Sequence, residues 1–222
     1  MSFDSFCKSM IDRTLVRLVR YVRDRVAPAE ERDDDVVKLV GDMLRSPQRI
    51  EVTPQGKTAD GIEQKLYYVP MPQKRQLLSE LLKDVSLNRV IVFTRTKHGA
   101  DRIVRHLDEA GIASTAMHAD KTQGQRTQAL EDFKSGKVRV LVATDIAQRG
   151  LDISGITHVI NYDVPQQAED YVHRIGRTGR AAATGDAYTF MCADEIAMVK
   201  TIERVIQQAI PRVSVTGYDF GT

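Results

Sequence analysis

RVIVFTRTKHGADRIVRHLDEAGIASTAM, residues 89–117, decides the fold. Its first five residues, Arg89-Val-Ile-Val-Phe93, are a short β-branched apolar run of the kind that forms a buried strand. Lys97 to Ala110 then places Ala100, Ile103, Val104 and Leu107 on one helical face, and Gly111 follows at the position where helices end. Ala113 to Met117 reads as a second strand. A strand, a helix and a strand in so short a stretch make a βαβ unit, and such units build parallel sheets covered by helices.

The same alternation continues outward. Gln123 to Ser135 reads as a helix ended by Gly136, and Val138 to Ala143 as a third strand. Thr157 to Asn161 and Asp186 to Met191 complete the strand set, with helices at Ala168 to Arg174 and Asp194 to Ala209. Six or so parallel strands flanked by helices form a doubly wound α/β domain, expected over residues 62–215, with a tail at 216–222. Residues 46–61 read as a linker. Residues 1–45 differ, because Ile11, Leu15, Leu18 and Val22 recur at helical spacing with Arg13, Arg17, Arg20 and Arg23 between them. That basic amphipathic extension either packs on the domain with a solvated face or meets RNA, a protein partner or an anionic surface.

Composition narrows the class. The 222 residues are 42% hydrophobic and 28% charged, without tryptophan, the profile of a soluble α/β protein. Apolar runs such as Val138 to Ala143 are far shorter than a spanning helix needs, and no signal-like apolar block opens the chain, so a cytoplasmic location is expected and a membrane partner is not. Cys7 and Cys192 lie in no paired spacing, which suggests neither a zinc site nor a disulfide framework. The net charge of +2, from 32 basic and 30 acidic residues, does not by itself mark a nucleic-acid binder. The distribution says more, since arginines cluster at 13–25 and 174–180 and an acidic run, Glu30 to Asp35, sets the first cluster apart from the rest of the chain.

Two stretches imitate a nucleotide site. Gly56-Lys57-Thr58 ends like a phosphate loop, but the glycine required five positions earlier is Glu51, and Pro54 with Ala59-Asp60-Gly61 points to a loop entering a strand. Val140 to Asp145 looks like a strand ending in a magnesium-binding carboxylate, yet no phosphate loop is present for Asp145 to serve.

The chemistry concentrates in Tyr171-Val-His-Arg-Ile-Gly-Arg-Thr-Gly-Arg180, where three arginines and a histidine share a short stretch with two glycines. Guanidinium groups stay charged and grip phosphate oxygens bidentately, which suits the charge that develops in phosphoryl transfer. A merely solvated helix end would not need the glycines. With Val142-Ala-Thr-Asp-Ile-Ala-Gln-Arg-Gly-Leu-Asp-Ile153, this stretch resembles motifs VI and V of the DEAD-box helicases. Ile91-Val-Phe-Thr-Arg-Thr-Lys97 resembles their motif IV, and Gln123-Gly-Gln-Arg126 their Gln-x-x-Arg motif. Four motifs in the family's order are far more specific than any one alone.

The resemblance implies a RecA-like domain, the second of two in an ATP-dependent RNA helicase. It implies that Arg177 and Arg180 act as arginine fingers on the phosphates of ATP held with Mg2+, bound mainly by the first RecA-like domain. Asp152, near Gly150, would accept hydrogen bonds from the ribose, and His173 would meet the first domain and report closure of the cleft. Arg174 is expected to make a structural pair within the domain. For RNA, it implies backbone contacts from Thr96, Arg126 and Thr144, supported by Gln123 and by backbone amides near His118 and Gly150, a mode that carries affinity without sequence. Thr96 and Thr144 equally suit helix capping, and a cap and a phosphate contact can coincide. Ala119 and Ala182 replace glycines usual in the family.

No phosphate loop, Asp-Glu-Ala-Asp or Ser-Ala-Thr occurs in these 222 residues, although Leu39 to Asp60 resembles the family's approach to its second domain. Residues 1–35 match no typical end of a first domain and read as a remnant or an unrelated extension. By itself the chain is expected to hydrolyse ATP poorly and to need a first RecA-like domain as partner. The alternatives are a truncated module that binds RNA or protein without turnover and, more remotely, a DNA-directed relative. The RNA target and the oligomeric state are not legible.

Overall fold

Apolar residues on both sides of the central strands require helices on both sides of the sheet, and the computed structural model has that arrangement. It describes residues 61–145, 153, 155–179 and 184–214, all within one unit spanning Thr53–Thr222. The amphipathic extension, nearly all of the linker, the tail, the Gly-Lys-Thr turn, Cys7, Gly150, Asp152, Arg180 and Ala182 lie outside the described residues.

Six strands form one parallel sheet: β1 (Ile62–Tyr68), β2 (Val90–Phe93), β3 (Ser114–Met117), β4 (Val140–Ala143), β5 (His158–Asn161) and β6 (Gly185–Met191), in the order β1-β6-β5-β2-β4-β3. The helices are α1 (Lys74–Leu81), α2 (Lys97–Glu109), α3 (Gln123–Lys134), α4 (Ala168–Ile175) and α5 (Ile196–Ile206). Connections leave β2 toward β4 and β3 but leave β5 toward β6, so the winding reverses between β2 and β5. In such sheets the crevice past the strands' carboxyl ends at that reversal is where ligands bind.

Alternation sorts the core. Val90 and Val92 of β2 face α1 and α2, whose Leu77, Leu78, Ile103 and Leu107 join them in one cluster. Ile91 and Phe93 face the other way, onto Ala129 and Phe133 of α3. On that same side, Tyr171 and Ile175 of α4 and Val199 and Ile202 of α5 pack on Leu66 and Ala187. All four residues of β2 are buried, and each such side chain contributes about 2 kcal/mol relative to exposure.

The expected strands hold, with trimmed ends. Val138 closes α3 instead of opening β4, its amide donating to the Asp132 carbonyl. Arg139 is drawn aside too, its guanidinium donating to the carbonyls of Leu82, Asp84 and Leu87. The last helix is shorter than its apolar pattern, because a 3-10 turn occupies Ala193–Glu195 and Gln207 adopts a left-handed φ of 53° that ends α5. The edge strand β1 and the short α1 are elements that the sequence pattern does not mark. Pro70 precedes, and Pro72 lies within, a 3-10 turn at Met71–Gln73 that leads into α1 and breaks its pattern.

Two buried cations tie the carboxyl end of the sheet together. Lys74 is fully buried, and its Nζ donates to the Tyr162 carbonyl (3.0 Å), the Phe190 carbonyl (3.1 Å) and Glu195 Oε2 (2.7 Å). The Glu195 carboxylate also accepts the Cys192 amide and thiol, the Val164 amide and an Arg95 Nη2 proton. Burial pushes the Glu195 carboxyl up, but the hydrogen bond and charge of Lys74 and the Cys192 donors outweigh it and hold it below its ordinary value. The second cation is Arg174, 1% exposed. It forks onto Asp145, Nε to Oδ1 and Nη2 to Oδ2 at 2.7 Å each, while Nη1 donates to Asn161 Oδ1 and the Asp163 carbonyl. Phe93 lies under the guanidinium at 5.3 Å.

Removing either cation strands its partner. Lys74→Ala is expected to lower unfolding free energy by about 3–5 kcal/mol in urea titrations. Arg174→Ala should cost about 3 kcal/mol, the lower end because the Asp145 side chain is 26% exposed, and Arg174→Lys should recover less than half, since an ammonium cannot span both carboxylate oxygens. Because the folded Glu195 carboxyl titrates below its unfolded value, its contribution is complete above that unfolded value and is lost as pH falls through the folded one. The urea midpoint should therefore drop on acidification below about pH 4.5, and Glu195→Gln should flatten that drop.

Candidate nucleic-acid and nucleotide interface

Strand register builds the first part of the site. Phe93 of β2 pairs with Ala143 of β4 and with Asn161 of β5, and Ala143 pairs with Met117 of β3. The residues leaving the sheet next, Tyr162, Thr94, Thr144 and His118, thus emerge side by side. Three of the sequence-predicted RNA positions sit on or just past this line.

Thr96 is the N-cap of α2: its Oγ1 accepts the Gly99 amide at 3.0 Å. The capping and phosphate readings are compatible here, because the side chain is exposed at a helix N-terminus. Gly99 is required there, since a Cβ would stand 2.7 Å from Thr94 Oγ1 and 2.9 Å from Thr96 Oγ1. Thr144 is nearly buried, its amide donates to the Met117 carbonyl, and the following amides that it could cap lie outside the described residues.

Gln123 and Arg126 occupy the first turn of α3, which begins with a capping box: Thr122 Oγ1 accepts the Gln125 amide, and Gln125 Oε1 accepts the Thr122 amide. Arg126 Nη1 lies 3.5 Å from Gln123 Oε1, a weak contact within the first turn of α3. The turn before α3 is fastened to α2 by His118 Nε2 against Asp101 Oδ1 (3.1 Å), Lys121 on the same oxygen (3.1 Å) and Lys97 on Asp120 (2.7 Å). Burial raises the Asp101 carboxyl, and the His118 and Lys121 hydrogen bonds more than reverse it. Ala119, exposed in this turn, has no positive φ, so the glycine usual in the family is not needed for backbone conformation.

The nucleotide-side candidates lie on α4 and the turn after it. Tyr171, Arg174 and Ile175 point inward, whereas His173 is exposed and Arg177, four residues on, is half-buried. Arg174 is the intradomain pairing expected of it, and Asp145 is its carboxylate partner. Thr178 anchors the turn through hydrogen bonds from its hydroxyl to the carbonyls of Ile156 (2.7 Å) and Thr157 (3.0 Å). Gly185 permits this, because a Cβ would meet Thr178 Oγ1 at 2.1 Å. The turn thus hangs at the start of β5, while the RNA candidates follow the strands' carboxyl ends.

Sequence reasoning missed several residues that shape this edge. Asp163 Oδ2 accepts the Thr94 hydroxyl and the Arg95 amide, both at 2.8 Å, which locks the loop after β5 to the loop after β2. Lys74 and Glu195 brace the same loops. Only Thr122, three residues before a glutamine at the start of a helix, carried a local signal. No helix among the described residues is long and apolar enough to cross a membrane.

Comparison with known proteins agrees with the geometry. Residues 73–182 match the helicase conserved C-terminal domain. The chain is 36% identical over 219 residues to the ATP-dependent RNA helicase RhlB of Shewanella pealeana, covering 95% of this chain and 50% of that protein. It is 42% identical over 186 residues to the ATP-dependent RNA helicase CshA of Listeria monocytogenes, covering 83% of this chain and 36% of the other. It spans about half or less of the length of these curated relatives. Among solved structures, the E. coli DEAD-box protein SrmB bound to the regulator of ribonuclease activity A superposes with a TM-score of 0.67 at 36% identity, over 69% of this chain and 91% of that one. S. cerevisiae Dbp5 bound to RNA and ADP BeF3 superposes with a TM-score of 0.74 at 26% identity, over 81% of this chain and 48% of that one. The sheet order, the four motifs and these matches have one reading: the chain belongs to the DEAD-box helicases and carries their C-terminal, RecA-like domain.

Proposed function

We propose that the chain serves as the C-terminal half of an ATP-dependent RNA helicase, lending one wall to an RNA groove and one wall to a nucleotide cleft. The observation that carries this reading is the in-register line at the carboxyl end of the sheet, which sets Thr94–Thr96, Thr144 and the α3 turn side by side. Thr96 and Thr144 then offer hydroxyls, and Arg126 a guanidinium steadied by Gln123, to successive phosphates of a single strand. Such contacts hold RNA in register without reading bases. The relative Dbp5 is bound to RNA and ADP BeF3, which supports both halves of the reading.

On the nucleotide side, Arg177 and Arg180 would face the phosphates of ATP with Mg2+, and Asp152, beside Gly150, the ribose. His173, exposed on α4, suits contact with a first RecA-like domain. ATP supplies the phosphoanhydride whose cleavage drives reopening of the cleft. The chain's own contribution is positive charge at the transferring group, held by the Thr178 anchor and independent of any proton exchange, because a guanidinium does not titrate. ATP and RNA would each favour the closed arrangement, so each should tighten the other.

Two outcomes are expected. Mixing the chain with a DEAD-box first domain should raise RNA-stimulated ATP hydrolysis above either part alone, and Arg177→Ala should reduce that gain by about 100-fold or more. No gain at any concentration, with RNA binding intact, would favour a non-catalytic binding module. In filter-binding or anisotropy measurements, Arg126→Ala should weaken single-stranded RNA uniformly across sequences and lower the salt slope by about 0.7. Unchanged affinity and slope would remove Arg126 from the groove.

A further inference from the structure

Beside the proposed RNA line, at the reversal of the winding, a cleft of about 430 Å³ opens between α1, α2 and the ends of β2 and β5. Its lining includes Arg75, Arg95, Arg102, Tyr162, Thr94 and Asp163. All three arginines are exposed. Arg75 and Arg102 have no carboxylate partner among the described residues; Arg102 spends its Nε on the His98 carbonyl. Arg95 leans on Glu195 and the Val164 carbonyl at the cleft margin. The one lining carboxylate, Asp163, has an oxygen turned to the Thr94 hydroxyl and the Arg95 amide.

Tyr162 connects these charges. Burial and then Asp163 push its hydroxyl up to about 12, while Arg75 and Arg102 both pull it down, so both guanidiniums stand near enough to be felt there. The phenol remains protonated and able to donate. The cleft therefore offers planar cationic forks and neutral donors, which match phosphate oxygens.

We infer that this cleft holds further backbone phosphates of the same RNA strand, with Arg75 and Arg102 as the contacting cations and the Tyr162 hydroxyl beside them. The inference rests on the RNA reading above and extends it. Continuity favours RNA over an acidic peptide: Thr96 lines the cleft and also belongs to the proposed row, and Tyr162 leaves β5 level with Thr94 on β2. Adjacent strands lie about 4.8 Å apart, so a strand laid across β3, β4 and β2 meets the cleft one strand spacing further on. Side chains on α1 and α2 would thus lengthen the groove toward β5.

The test uses the full chain, fluorescently labelled oligouridines of about 5 and about 12 nucleotides, and anisotropy over a range of salt. The double substitution Arg75→Ala with Arg102→Ala lies at exposed positions, and its urea midpoint should match that of the unsubstituted chain. Affinity for the longer strand should fall about tenfold and its salt slope by about 1.4, while the shorter strand is unaffected. Arg126→Ala should weaken both strands. Loss with Arg126→Ala but none with the double substitution would overturn the cleft and leave the RNA reading standing. Insensitivity to both, or no binding of either strand by the unsubstituted chain, would overturn the two together. Poly-glutamate bound through Arg75, with the longer strand unaffected by the double substitution, would assign the cleft to a protein partner instead.

Discussion

Parallel pairing fixes where four strands stop. Met117, Ala143, Phe93 and Asn161 are aligned by backbone hydrogen bonds, so a shift of one residue in any of β2 to β5 would turn its buried side chains to the wrong layer. Nothing polar on this edge could be placed independently of that alignment. Thr94, Thr144, His118 and Tyr162 are neighbours because the strands end level, although up to 68 residues separate them in the chain. A surface for a repeating backbone such as a nucleic-acid strand needs regularly spaced groups, and strand spacing provides them.

One motif supplies two kinds of arginine, and packing tells them apart. Arg174 faces the sheet on α4, beside Tyr171 and Ile175, and there its charge is tolerable only with the Asp145 fork, the Asn161 and Asp163 acceptors and the Phe93 ring. Arg177 follows the helix end, past Gly176, where the chain turns outward and the Thr178 anchor holds it. In sequence the two differ by three positions. In packing they differ: Arg174 is buried and fully engaged against the sheet, whereas Arg177 is half-buried in the turn beyond the helix.

The alternation of apolar runs with amphipathic stretches made the sheet and most helices legible before any coordinates, because strand and helix periods are local properties of the chain. What stayed hidden was set at long range. Lys74 lies 121 residues from Glu195, and nothing in either neighbourhood announces a buried ion pair. The same distance effect explains Asp145, which resembles a metal ligand when read along β4 and becomes an arginine partner once α4 folds over the strand. Motif resemblance singled out Thr96, Arg126 and Thr144, and Thr96 suited a helix cap already in sequence, but the partner of that cap, the Gly99 amide, is fixed only by the helix start.

The buried arginine also ties the strand end that carries the proposed RNA position to the helix that carries the proposed nucleotide-side residues. Thr144, on the proposed RNA line, immediately precedes Asp145, and Asp145 is clamped by two hydrogen bonds to Arg174 on the helix that presents His173 and leads into Arg177. A bidentate pair over an aromatic ring, with the remaining donors engaged, resists rotation more than a single contact does. The strand end and α4 are therefore held together by a stiff contact rather than a single bond. If the two proposed ligands bind this domain, their coupling would need no relay inside it, and the element required to be bistable would be its placement against a partner domain.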